Sequence, residues 1–269
     1  MNHLNQYIQN KINSNTKFFV PYITAGDPDL LSTKKYMYAL IQGGADIIEL
    51  GVPFSDPVAD GVTNQQAAER ALKNGISISN VMDLVKEIRN EGVSQPIILF
   101  TYYNPIFSMG LDLFFQRAQE CGVSGVLVVD LPPEEACEYS NKINQTSLGA
   151  VFLASPTTSA ERLKKISDLS TGFVYYISRT GVTGVQNELS DTLEAELKQV
   201  RQWIDKPIAV GFGISTAEQA YEVSRIADGV VVGSALVKII AENGASEFGF
   251  EKIKHLVQQM TQKMNEINK

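Results

Sequence analysis

Short, continuous apolar runs recur along the chain, separated by stretches in which apolar residues return every three or four positions. The runs are FFVPYIT (18–24), ADIIELG (45–51), PIILFTYY (96–103), GVLVVD (125–130), GAVFLA (149–154), FVYYISR (173–179), PIAVGFG (207–213) and GVVVGSA (229–235). Runs without polar alternation are expected of parallel strands covered on both faces. The stretches between them predict helices. Asp27-Pro28 offers a cap and a first-turn proline for a helix reaching Gln42. Thr158 with Glu161, and Ser215 with Glu218, have capping-box spacing. Leu193, Leu197, Val200 and Ile204 mark one buried helical face, and Phe250, Ile253, Leu256, Val257, Met260 and Met264 mark another, after Ser246. Leu4, Ile8 and Ile12 form a short amphipathic stripe at the N-terminus.

Eight strand-like runs alternating with helices predict an α/β fold: a single-domain (β/α)8 TIM barrel over residues 1–269, with an extra N-terminal helix and additional helices after strands two and eight. An open doubly wound sheet shares this alternation, but the first turn, ITAGDPD, holds one glycine and lacks a dinucleotide fingerprint. The gap at 52–95 is too long for one helix. It predicts a loop, a helix near 65–72 and a second near 81–90.

Composition narrows the function. Lys and Arg number 23 against 30 Asp and Glu, a net charge of −7, which removes the basic footprint that nucleic acid requires. The two histidines, His3 and His255, lie near opposite ends of the chain, so zinc sites and histidine triads are not expected. Cys121 and Cys137 have neither metal nor disulfide spacing, as suits a reducing cytoplasm. No apolar run approaches the ~20 residues of a membrane helix, and no membrane association is expected.

A barrel places its site at the C-terminal ends of the strands. The titratable groups there are Glu49, Asp56, Asp60, Tyr102, Asp130, Tyr175 and Arg179. Glu49 interrupts an otherwise buried run. It either pairs with an amide or a lysine, or faces a cavity with its proton affinity raised. The loop that follows, GVPFSDPVADG, carries Asp56 and Asp60 between stiffening prolines. Two carboxyls on a strand end and a semi-rigid loop suit acid/base catalysis, although aspartates also cap turns. GFGIST (211–216) and GVVVGSALV (229–237) end strands seven and eight with glycines and open helices, which suits a phosphate. RTGVTG (179–184) supplies a third glycine-rich loop. No lysine occupies a strand end, which argues against Schiff-base chemistry. Cofactor-free acid/base chemistry on a small phosphate ester remains.

PYITAGDPD, ELGVPFSDPVADG, TYYNPI, SRTGVTG, GFGIS and GSALVK, in that order, closely resemble the α subunit of tryptophan synthase, from about Lys17 to Ile240. The resemblance implies a (β/α)8 barrel that cleaves indole-3-glycerol phosphate to indole and D-glyceraldehyde 3-phosphate without metal or organic cofactor. It implies a β-subunit partner that holds pyridoxal phosphate (PLP) and receives the indole in an α2β2 complex. By position, Glu49 matches the general acid/base and Asp60 the second catalytic carboxylate, with Tyr175 beside Glu49 and Thr183 on the loop that closes over Asp60. Gly184, Gly213, Gly233 and Ser234 match the phosphate cradle. Tyr22, Phe100, Tyr102 and Leu127 match the indole slot, and Pro53 and Asp56 the partner surface. Val62 stands where many members have proline, Tyr22 where some have phenylalanine, and Phe100 where others have Leu or Met.

The same motifs serve a stand-alone lyase that releases free indole. Retention of both Glu49 and Asp60 argues against a barrel kept only as an activator of the β subunit. The order of the motifs argues against a sugar-phosphate isomerase.

Overall fold

Parallel strands need covered faces, and helices wrap these strands in the order the sequence dictates. The computed structural model describes residues 2–178, 186–211 and 213–268. In chain order the elements are α1 (His3–Asn13), β1 (Phe18–Thr24), α2 (Leu30–Gln42), β2 (Ile48–Gly51), α3 (Val62–Lys73), α4 (Ile78–Asn90), β3 (Ile97–Thr101), α5 (Tyr103–Met109), α6 (Leu111–Glu120), β4 (Gly125–Val128), α7 (Cys137–Ile143), β5 (Gly149–Ala154), α8 (Ala160–Leu169), β6 (Val174–Ile177), α9 (Gln186–Val200), β7 (Ile208–Gly211), α10 (Ala217–Ile226), β8 (Gly229–Val232), α11 (Ser234–Asn243) and α12 (Glu247–Met264). The eight strands pair in parallel and in sequence order, and β8 returns to β1 to close the barrel.

Successive side chains on a strand point to opposite faces, so each strand divides between two cores. Ile48 and Leu50 of β2 join the large layer between strands and helices, whereas Ile47 joins Phe18, Val20, Ile98, Leu127, Val151, Phe173, Ala209 and Val231 inside the barrel. The N-terminal helix stoppers that interior. Leu4 and Ile8 pack into it, and a Cβ on Gly125, Gly149 or Gly172 would come within 2.8 Å of Leu4 Cδ2. Burying a leucine this fully contributes about 1.5–3 kcal/mol. Ile12, the third position of the stripe, is surface-exposed.

Both predicted helices occupy the 52–95 gap, as α3 and α4, and α11 and α12 follow β8. Three predicted helix starts shift. Asp29, not Asp27, caps α2, its Oδ1 accepting from Ser32 N–H at 2.7 Å. The Asp27-Pro28 peptide is cis, and the Asp27 carboxylate accepts from Arg70 of α3 at 2.7 and 2.8 Å. Ser159 caps α8, because the Thr158 hydroxyl accepts from Ser155 N–H. Thr216 caps α10 in a box with Gln219, whose Oε1 also takes the Ser215 N–H. The strands end earlier than the apolar runs do: after β3 the chain turns into α5, and Gly213 adopts a φ of +72° that favours glycine. Among the described residues no helix is long and apolar enough to cross a membrane.

Candidate active site

At the C-terminal end of the barrel the inward positions are occupied by glycine on three of the strands and the turns that follow them. Gly51, Gly211, Gly213 and Gly233 supply no side chain there, and two long residues fill part of the space. A Cβ on Gly51 would lie 2.3 Å from the Tyr22 hydroxyl oxygen, and one on Gly211 would lie 2.4 Å from that of Tyr175. What remains is a cavity of about 350 Å³ lined by Tyr22, Glu49, Asp60, Phe100, Tyr175 and the glycine turns. That volume is within the range of small-ligand sites.

Glu49 stands in the register of β2 beside Tyr22 of β1 and Ile98 of β3, with its side chain among the inward positions. It is 1% exposed, and among the described residues its Oε1 has no hydrogen-bond partner. Burial, and secondarily the negative charge of Asp60, push its carboxyl up to about 8. No backbone amide or lysine takes it up, so the structural alternative raised by the sequence is absent among the described residues.

Asp60 is held differently. Tyr102 donates to its Oδ2 at 2.7 Å, and Ala59 N–H donates to the Tyr102 hydroxyl at 3.0 Å. Gln65 Nε2 donates to the Asp60 carbonyl at 2.8 Å. Burial raises the Asp60 carboxyl, and the hydrogen bonds from Tyr102 and Asn64 pull it back down. Among the described residues one carboxyl thus lacks donors while its neighbour has two, the kind of contrast that separates an acid from an anion. Asn64 and Gln65 were not singled out in the sequence. Their only signal was position, one turn beyond Asp60 at the start of α3.

The glycine turns after β7 and β8 offer backbone N–H groups. Ser234 opens α11, with Gly233 as a cap whose carbonyl takes the N–H groups of Leu236 and Val237. The N–H groups of Ser234 and Ala235, at the positive end of the helix, have no partner within the helix. Gly213, Gly233 and Ser234 all line the cavity. Thr183, Gly184 and Arg179 lie outside the described residues. Among the described residues no cluster of His, Cys, Asp and Glu could hold a metal ion.

A sequence model of the tryptophan synthase alpha chain matches residues 8–266. The chain belongs to the tryptophan synthase alpha chain family. It is 48% identical over 233 residues to the tryptophan synthase alpha chain of Geotalea uraniireducens, covering 87% of each. It is 45% identical to that of Opitutus terrae, covering 90% of this chain and 91% of the other. The crystal structure of tryptophan synthase subunit alpha from Legionella pneumophila superposes with a TM-score of 0.92 at 39% identity, covering 99% of both chains. A chain from the crystal structure of the tryptophan synthase complex of Pyrococcus furiosus superposes with a TM-score of 0.81 at 43% identity, covering 90% of this chain and 97% of that one. Cleavage of indole-3-glycerol phosphate, the lyase half of tryptophan synthesis, is accordingly the activity of this alpha chain.

Two expected indole-slot residues sit elsewhere. Leu127 is fully buried among the inner core residues, below the cavity, and Val129 and Leu153 form the wall on that side. Tyr102 is outside the lining and bonds to Asp60, with Phe54 packed on its ring at 5.1 Å. Tyr22 and Phe100 do line the cavity, their rings edge to face at 5.0 Å. Asp130, one of the titratable candidates, accepts from Tyr103 N–H at 2.7 Å and so anchors the start of α5. Of the expected partner surface, Asp56 is exposed and Pro53 is buried.

Proposed function

We propose that Glu49 performs both proton transfers of the cleavage. It gives its proton to C3 of the indole ring, and the ring nitrogen becomes cationic. Asp60 accepts the hydrogen bond of that N–H and stabilises the charge. Glu49, now a carboxylate, removes the proton from the hydroxyl on the carbon attached to the ring. The carbon–carbon bond breaks, its electrons return to the ring, and indole and D-glyceraldehyde 3-phosphate separate. Glu49 ends protonated, as it began, now carrying the proton of the hydroxyl. The observation that carries this reading is the buried Glu49, whose Oε1 has no partner among the described residues, beside a donor-held Asp60.

The remaining assignments follow the same reading. Gly213, Gly233 and Ser234, with Gly184, hold the phosphate; Tyr175 packs beside Glu49; Tyr22 and Phe100 flank the ring. The chain, 1–269, works as one domain in the cytoplasm and needs no cofactor of its own, with PLP in the β subunit of an α2β2 complex. Asp56, with the exposed Val58 and Phe107, supplies the surface for that partner, and Thr183 closes over Asp60 when the partner docks.

The test is to supply indole-3-glycerol phosphate with and without a β subunit and follow indole. Slow release alone and faster release with the partner are expected. Full speed alone would favour the stand-alone lyase.

A further inference from the structure

Strand β1 lies between β8, which leads into the phosphate turn, and β2, which carries Glu49. Tyr22 stands opposite Glu49, and Pro21 opposite Val232, one residue before Gly233. The Tyr22 side chain spans this interval. A Cβ on Gly233 would touch Tyr22 Cβ at 3.4 Å, and the far end of the ring, its hydroxyl, lies over Gly51. Phosphate and reacting carbon are the two ends of the substrate's three-carbon glycerol chain. That chain therefore passes along Tyr22.

Besides filling the space that Gly51 leaves, the hydroxyl brings hydrogen-bonding capacity. Its oxygen lies 3.2 Å from Thr24 Oγ1, and both residues are buried. Burial and the negative charge of Asp60 keep the phenol un-ionised. The pair holds two O–H protons but shares one contact, and neither oxygen makes another hydrogen bond among the described residues. One proton is left to donate to a ligand. Such a donor adds affinity only for a ligand that brings an acceptor within reach.

We propose that the Tyr22–Thr24 hydroxyl pair donates a hydrogen bond to the middle hydroxyl of the substrate's glycerol chain, the one that cleavage leaves intact, and so selects hydroxylated chains. Tyr22 is then a specificity-determining residue as well as a wall of the ring slot. The inference rests on the lyase reading above.

The experiment compares two ligands across variants. Indole-3-glycerol phosphate is assayed as substrate with the β subunit present, and indole-3-propanol phosphate, which lacks both chain hydroxyls, is titrated as a binding probe. Tyr22→Phe is expected to lower kcat/KM for the glycerol phosphate roughly 3–10-fold, mainly through KM, as for loss of one neutral hydrogen bond. Its Kd for the propanol phosphate should stay within about 2-fold of wild type. Thr24→Val leaves the Tyr22 O–H free to donate, so it and Thr24→Ser should both keep the preference for the glycerol phosphate. Equal losses for both ligands would assign Tyr22 to packing alone, and no loss for either would make the hydroxyl idle; each overturns the proposal. Failure of the wild-type chain to release indole would sink the lyase reading instead.

Discussion

Tyr102 donates to Asp60 at 2.7 Å from the far side of a loop that contains two prolines. The hydroxyl also receives the Ala59 N–H, so a single phenol fixes both the backbone and the carboxylate of the loop. Tyr102 itself is fixed by its place as the residue between β3 and α5. The position of Asp60 is thereby tied to the end of the neighbouring strand.

Tyr102→Phe keeps the ring against Phe54 and deletes the clamp. Loss of a hydrogen bond to a charged group costs about 1.5–3 kcal/mol where the geometry is fully used. Cleavage should fall by roughly 10-fold or more, with the urea midpoint nearly unchanged. A wild-type rate in steady-state assays would mean that Asp60 is held by Asn64 and Gln65 alone.

Asp60→Asn should be severely impaired yet retain residual activity, because an amide oxygen still accepts the indole N–H while the charge is lost. Turnover equal to wild type would remove the charge-stabilising role.

The raised carboxyl of Glu49 sets two pH dependences. The reaction starts from protonated Glu49 and ionised Asp60, so single-turnover cleavage should fall as pH rises through about 8 and fall again in acid, where Asp60, its carboxyl raised by burial, takes up a proton. Stability moves in the same direction. The folded chain keeps a proton that the unfolded chain releases above about 4.5, so wild-type stability is full below that value and declines as pH rises toward 8. Glu49→Gln lacks this decline. Urea melts at pH 5 and pH 8 should show the variant gaining on wild type by a few kcal/mol, an order-of-magnitude expectation. A constant difference across that range would show that Glu49 ionises freely.

Asp27 is 1% exposed and takes both Arg70 contacts, which fasten α3 to the turn after β1. Arg70→Leu strands a buried carboxylate. A loss of about 3 kcal/mol is expected, at the low end for a broken buried pair because Arg70 is itself one third exposed. Asn64 and Gln65 ride on the same helix, so KM should rise as well. An unchanged urea midpoint would contradict this account of α3.

Much of this was legible in the residues because it rests on local contradictions. Glu49 is a charge inside an apolar run, and the glycines at 211, 213 and 233 are gaps where strands should carry side chains. Depth was not legible. Leu127 and Val129 share one side of the apolar run 125–130 by alternation, and only the closed barrel shows that the upper of the two meets the cavity. Nor was the Tyr102–Asp60 bond, since 42 residues separate its ends. The helix starts slipped for a related reason: Thr158, Ser159, Ser215 and Thr216 all offer hydroxyls, and the choice depends on what else each one bonds.

Glu49→Gln tests the central claim most directly, because it removes the proton and leaves the shape. Indole release from saturating indole-3-glycerol phosphate should be measured with the β subunit present, alongside the Kd for indole-3-propanol phosphate. Cleavage is expected to fall by at least ~100-fold, since one group serves both proton transfers, with the Kd within a few-fold of wild type. Turnover within a few-fold of wild type would contradict the assignment of Glu49 as the acid and base of the reaction.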